Sequence, residues 1–257
     1  MKPVIILLVM SVIFILADCA NNPFKDSGID NPPIPTSSSI FPLAVGNHWT
    51  YWYTKYDSAG IKIPLSNRIL TRKIPGAYEF TSEGDLIPYK ERYSTHTNSS
   101  NYVYKLEWED LDRGLLVMHV GDGDLSSRGL YIVGEYSNDT TTLYPTRVLW
   151  LAFPASKGAV WTVSLPANDS SVRVIQMELV DHNALFYAPV GNRYSASPVY
   201  FRDSCYLYKE AIENFTTYYY YHPKVGCLGY LHYKDSALVT TYIMTDFENE
   251  YYYSGFY

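Results

Sequence analysis

From Phe41 onward, apolar side chains recur at every second position, and no stripe at helical spacing appears. Residues 101–109 are the clearest case: Tyr102, Tyr104, Leu106 and Trp108 alternate with Val103, Lys105, Glu107 and Glu109. Such a segment is a strand with one face on a core and one wetter face. Further strands are expected over 68–74, 86–93, 115–120, 130–136, 148–153, 160–165, 172–180, 183–188, 199–209, 215–221, 228–233 and 238–247. β-Branched and aromatic residues fill them, and Gly, Pro, Asn, Asp and Ser lie between them. Short turn-like connections indicate antiparallel pairing rather than β-α-β units. The expected fold is therefore all-β: a strongly curved open antiparallel sheet or half-barrel, with a β-sandwich as the alternative. Residues 41–257 fit a single domain of this kind.

A repeat subdivides it. Phe41-Pro42-Leu43-Ala44-Val45-Gly46-Asn47-His48-Trp49-Thr50 and Phe153-Pro154-Ala155-Ser156-Lys157-Gly158-Ala159-Val160-Trp161-Thr162 share the pattern F-P-x-x-x-G-x-x-W-T. Pro fixes an approach segment, Gly allows a turn, and a strand begins at an inward Trp. Trp49 and Trp161 are the expected structural plugs of two related halves, with a boundary near 152/153. The alternative is a strand-start signal that arose twice.

The chain before this domain reads as an address. Lys2 precedes an apolar run of 14 residues, Val4 to Ala17, interrupted only by Ser11. That is too short to span a membrane, which takes about 20 apolar residues, and it suits a signal-peptide core over residues 1–18. Leu16-Ala17-Asp18-Cys19 resembles a bacterial lipobox, although Asp18 stands where that pattern usually has Gly, Ala or Ser. The resemblance implies cleavage before Cys19, acylation of Cys19 by palmitate-type chains, and a lipid-anchored protein of the bacterial cell envelope. Residue 20 is Ala, so the inner-membrane retention signal is absent and the outer membrane is favoured, on either face. The alternative is an ordinary secretory signal cut after Ala17. Residues 19–40 hold the lipidated Cys and a tether rich in Pro, Ser and Asn, which cannot bury a core. Cys205 and Cys227 remain as a candidate disulfide, permitted in an exported compartment. In a simple meander they would stand on first and third strands, about 9–10 Å apart, beyond the roughly 7 Å a disulfide spans.

The segment Phe41 to Tyr51, together with Tyr221-His222-Pro223-Lys224-Val225-Gly226-Cys227-Leu228, is similar to the opening FPLxxGxxWxY and closing Y-x-x-x-VG-x-V patterns of uncharacterised bacterial exported β-rich lipoproteins. The resemblance implies a curved antiparallel β fold. It implies no activity and carries no catalytic residues.

Catalytic patterns are missing: there is no G-x-S-x-G, H-E-x-x-H, P-loop or dinucleotide fingerprint. No catalytic, metal or cofactor-binding residue is therefore assigned and no cofactor is expected. His222 and His232 could meet across strands, and Asp122 and Asp124 alternate as calcium ligands do, but packing and a Gly-Asp turn explain them more simply. Glu107 and Glu109 share a strand face, as paired carboxylates of a glycosidase would. Lys105 on that face favours a solvated surface instead. A net charge of −6 argues against a nucleic-acid partner.

Tyrosine is the compositional outlier. There are 27, and 14 of them lie from Tyr200 to Tyr257. Tyr218-Tyr219-Tyr220-Tyr221 must place two rings on each face of a strand. With Tyr230 and Tyr233 these are the candidate ligand-contact aromatics, since Tyr joins a broad apolar ring to a polar handle. The expected function is a non-enzymatic binding role at the membrane. The ligand would be an apolar molecule or lipid held in a concave sheet. A glycan or envelope-protein contact through Tyr-rich strands is the alternative, and a hydrolase is the least favoured.

Overall fold

A computed structural model of the chain describes residues 40–43, 46–80, 86–89, 102–109, 113–120, 128–137, 140–166, 171–190, 199–223 and 225–248. The signal segment, Cys19, the tether up to residue 39 and the Asp122–Asp124 turn lie outside the described residues, as do Tyr251, Tyr252 and Tyr253. Within the described residues the period-two pattern becomes thirteen strands and no helix. These are β1 (His48–Lys55), β2 (Arg68–Phe80), β3 (Leu86–Tyr89), β4 (Tyr102–Trp108), β5 (Arg113–Val120), β6 (Gly129–Ser137) and β7 (Thr140–Ala152). The remainder are β8 (Val160–Pro166), β9 (Val172–Val190), β10 (Val199–Ile212), β11 (Phe215–His222), β12 (Gly226–Lys234) and β13 (Ala237–Glu248).

All pair antiparallel in one sheet of order β7-β6-β5-β4-β2-β1-β13-β12-β11-β10-β9-β8, with β3 attached to β2. Each neighbouring pair follows in sequence except β4–β2, where β3 intervenes, and β1–β13, which joins the two meanders. The first meander runs outward from β1 to β7 and the second from β8 to β13. The two ends of the sheet, β7 and β8, are consecutive in the chain and meet in space. There Trp161 Nε1–H donates to the Trp150 carbonyl at 3.1 Å and the Tyr208 hydroxyl to the Ala152 carbonyl at 2.9 Å. The sheet thus rolls almost into a closed barrel, and the sandwich alternative is excluded.

Bulges drive the roll. Register shifts occur at Thr50/Tyr51, Lys73/Gly76, Leu116/Val117 and Cys205/Leu207, and each adds local twist and bend. The resulting curl brings Phe186 of β9 over Gly229 of β12, although two strands separate them in the ladder. A Cβ on Gly229 would stand 2.6 Å from the Phe186 ring. The inner face is packed solid with large side chains, among them Trp49, Tyr51, Tyr208, Tyr221 and Phe41.

The two F-P-x-x-x-G-x-x-W-T segments enter their strands alike from the Gly onward, although the Phe153–Pro154 bond is cis and the Phe41–Pro42 bond is not. Gly46 (φ 102) donates its N–H to the Ile74 carbonyl, and the Ile74 N–H returns to the Asn47 carbonyl, both at 2.9 Å. Gly158 (φ 81) donates to Leu179 at 2.7 Å, and Leu179 returns to Ala159 at 2.9 Å. In each case a left-handed Gly opens a strand by exchanging bonds with a fully buried residue of the next strand.

Candidate functional site

The opening and closing motifs pack on each other. Phe41 lies against Trp49, with ring centroids 4.7 Å apart, and edge-on to Tyr221 at 6.0 Å. Trp49 Nε1–H donates to the Val225 carbonyl, and the Tyr51 hydroxyl to the Cys227 carbonyl at 2.8 Å. Gly226 (φ 97) lets the chain pass close over the indole, where a Cβ would stand 3.1 Å from Trp49 Nε1.

Inside this frame lies a cation. β2 alternates Leu70, Arg72 and Ile74 toward the core, and Arg72 is 8% exposed. Its ladder neighbours are Trp49 on β1 and Trp108 on β4. The guanidinium carbon is 5.4 Å from the Trp108 ring centre and 5.8 Å from that of Trp150. Each such contact contributes about 0.5–2 kcal/mol, whereas burying an unpaired charge costs several kcal/mol. Burial pushes the phenols of Tyr51, Tyr219, Tyr221 and Tyr230 well above their usual range and the Cys227 thiol to about 11; the Arg72 charge offsets part of each rise. Arg72 Nε and the fully buried Tyr221 hydroxyl have no hydrogen-bond partner among the described residues.

The expected contact aromatics are divided between two faces. Tyr219, Tyr221 and Tyr230 point into the aromatic core, where Tyr230 stacks on Tyr242 at 4.0 Å and the Tyr219 hydroxyl donates to Glu210 at 3.2 Å. On the other face, Tyr218 meets Tyr233 edge-on at 5.8 Å, and Tyr220 lies against Phe186 at 4.5 Å. None of the six is exposed. Trp49 is a core plug, while Trp161, on an end strand, is half-buried.

The candidate disulfide is not formed. Cys205 and Cys227 are buried thiols on β10 and β12, separated by β11 and not joined to each other. Their Sγ–H groups donate to the Ala184 and Gly229 carbonyls instead. His232 bonds Thr217 and stacks on Phe215, and the ladder pairs His222 with Gly226, so the two His do not face each other. Among the described residues no three His, Cys, Asp or Glu side chains come together as a metal site. Glu107 and Glu109 both pair with Lys73, at 3.5 and 3.1 Å, and Glu107 also pairs with Lys105. Burial would raise the Glu107 carboxyl, but the Tyr136 hydroxyl and the two lysines outweigh it and hold it below the usual range.

Large exposed apolar residues gather elsewhere, at the β1–β2 tip. Trp52 and Ile69 are ladder partners on the outer face, 44% and 60% exposed. Beyond them the connection presents Ile61, Ile63 and Leu65. Leu65 is fully exposed and has φ 58, a conformation that a bulky residue adopts only under constraint. The constraint is visible. Asp57 Oδ1 accepts from the Ala59 and Ile61 N–H groups at 2.9 Å, Ile63 N–H bonds the Lys55 carbonyl at 3.0 Å, and Ser66 N–H bonds the Ile63 carbonyl at 3.3 Å. Lys55, Lys62 and Arg68 are exposed around this tip, against the single acid Asp57.

Fold and surface together define an all-β roll with a filled aromatic interior and an apolar, basic β1–β2 tip. Two solved structures are similar to it. One is a candidate exported protein with a YmcC-like fold from Bacteroides fragilis: TM-score 0.35, 12% identity, covering 81% of this chain and 98% of that one. The other is a candidate lipoprotein from Parabacteroides distasonis: TM-score 0.32, 12% identity, covering 82% and 98%. No family model matches the chain, and no curated protein matches it.

Proposed function

We propose that the chain is a lipid-anchored protein of the bacterial cell envelope with a non-enzymatic binding role, and that it binds through the β1–β2 tip to an anionic lipid surface. The observation that carries this is the set Trp52, Ile61, Ile63, Leu65 and Ile69, held outward by an ordered connection and ringed by Lys55, Lys62 and Arg68. Apolar side chains that enter the headgroup boundary, flanked by cations, are the chemistry of interfacial attachment. The lipobox-like Cys19 supplies the second attachment. A tether of about 20 residues spans up to roughly 60 Å, more than the roughly 27 Å length of an eight-residue strand such as β1. The tip can therefore reach the bilayer that holds the lipid. An apolar ligand inside the roll is less favoured, because Trp49, Tyr51, Tyr208 and Tyr221 already fill that space.

Two measurements test the two attachments. Metabolic palmitate labelling should mark the protein and not its Cys19→Ser variant. A variant that still labels refutes acylation at that residue. The Cys19→Ser chain should float with phosphatidylglycerol vesicles and much less with phosphatidylcholine vesicles, and Leu65→Glu with Ile61→Glu should abolish flotation. Flotation that survives both substitutions removes the tip from the reading. Capture of an envelope protein without vesicle binding would favour a protein partner instead.

A further inference from the structure

The tyrosines of the interior form a line. Tyr53, Tyr242, Tyr230, Tyr219 and Tyr208 are successive ladder partners across β1, β13, β12, β11 and β10. Ring centroids are 4.8 Å apart between Tyr53 and Tyr242, 4.0 Å between Tyr242 and Tyr230, and 5.4 Å between Tyr230 and Tyr219. Tyr221 then links Tyr219, at 6.1 Å, to Tyr208, at 5.8 Å. Tyr208 lies 6.1 Å from the half-buried Trp161 indole. We propose that this line carries single-electron oxidation inward from Trp161, and that the oxidising equivalent comes to rest on Tyr219 as a neutral tyrosyl radical with its proton on Glu210.

Phenol and indole rings are readily oxidised by one electron, and rings in contact exchange electrons without any cavity. An oxidised phenol is a strong acid, so its radical persists only where a base takes the proton. Of the rings in the line, Tyr219 alone donates to a carboxylate among the described residues, to Glu210 Oε2 at 3.2 Å. The Tyr208 hydroxyl and the Trp161 N–H donate to backbone carbonyls, which do not accept a proton outright, and the Tyr221 hydroxyl has no partner among the described residues. Burial pushes the Glu210 carboxyl up, which makes it a stronger base. Charge sets the direction. The Arg68 guanidinium carbon stands 4.8 Å and Lys55 Nζ 6.0 Å from the centre of the Tyr53 ring. Those cations disfavour a positive hole at that end, whereas the Glu210 carboxylate favours one at Tyr219.

The step balances. A one-electron oxidant outside the roll takes one electron from Trp161, and Tyr208 and Tyr221 relay its replacement from Tyr219. The Tyr219 O–H bond breaks and a new O–H bond forms on Glu210. A one-electron reductant of the ascorbate class reverses both transfers.

The test is flash oxidation of the full chain in a neutral maltoside detergent by photoexcited ruthenium tris-bipyridine with persulfate, read by tyrosyl absorption and electron paramagnetic resonance. The folded protein should hold a tyrosyl radical that outlives those of the urea-unfolded chain. Tyr219→Phe should abolish it, Trp161→Phe should remove most of its yield, and Glu210→Gln should slow its formation about a hundredfold. A radical that decays as fast as in urea overturns the proposal, as does one that persists in Tyr219→Phe. An unchanged yield in Trp161→Phe refutes the entry point, and an unchanged rate in Glu210→Gln refutes the proton acceptor. If Tyr219→Phe does not fold, Glu210→Gln and the wild-type rate in heavy water still decide, since a rate indifferent to deuterium has no proton transfer in it.

Discussion

The segments Phe41–Thr50 and Phe153–Thr162 share five residue identities and the same backbone exchange, yet their tryptophans have different fates. Trp49 starts a strand paired on both sides and is completely buried under Gly226 and Phe41. Trp161 starts a strand paired only with β9 and bonds across the meeting line to β7. The motif sets how the chain turns into a strand. Depth of burial is set by what the sheet later places on either side.

The sharpest way to break the comparison is truncation of both indoles. Trp49→Ala should cost about 3–5 kcal/mol, in the range for a buried aromatic. Trp161→Ala, half solvated already, should cost about 1–2 kcal/mol. Urea unfolding of both variants measures this, and equal losses would remove the depth argument. The two left-handed glycines come next. Gly226→Ala adds strain and a contact with the Trp49 ring, for about 3 kcal/mol. Gly158→Ala meets nothing within 4 Å and adds only the strain of its φ of 81°, about 1 kcal/mol.

Alkaline pH should separate the two regions further. Tyr51, next to the first segment, bonds the carbonyl of Cys227, a buried thiol whose pKa burial raises from 9.0 to about 11. Between those values the unfolded chain has released the proton and the folded chain has not. Stability is therefore fully present below pH 9 and falls as pH rises toward 11, by roughly 3 kcal/mol at most. Cys227→Ala should flatten part of this fall, and an unchanged profile would show that the thiol titrates normally in the fold. The smallest expected effect is Tyr51→Phe. It frees the Cys227 carbonyl and should cost about 1 kcal/mol in thermal unfolding. A neutral result would mean that the carbonyl finds another donor.

Period two makes the strands legible in the order of the amino acids alone, because a rolled sheet with one packed face leaves that signature along its whole length. Its interruptions are harder to interpret. Asp181-His182-Asn183 has the composition of a turn, but β9 runs straight through it. The polar residues sit at a register shift opposite Leu207, and Asp181 pairs with Lys157 at 3.4 Å. The tyrosine run divides between two faces, as strand alternation requires. Burial of both faces, however, depends on the curl that brings Phe186 over β12, which no local pattern encodes. Arg72 does leave a trace: a charge in phase with Leu70 and Ile74. In a strand read alone, that phase is indistinguishable from a wet face. The β1–β2 tip leaves a weaker one, Ile61-x-Ile63-x-Leu65, an alternation too short to separate from a loop.

The line where β7 meets β8 has a consequence for copies of the chain at high density. Unpaired strand rims are where identical chains add to one another and begin to fibrillate. Here the two rims of the sheet belong to adjacent stretches of chain and face each other, fastened by the Trp161 indole, with the Tyr208 phenol of β10 bonding the same β7 rim, rather than by a ladder. Each rim is the other's screen. Copies of the chain that meet at high density find these two rims turned toward each other, and the roll does this without the last ladder a fully closed barrel would need.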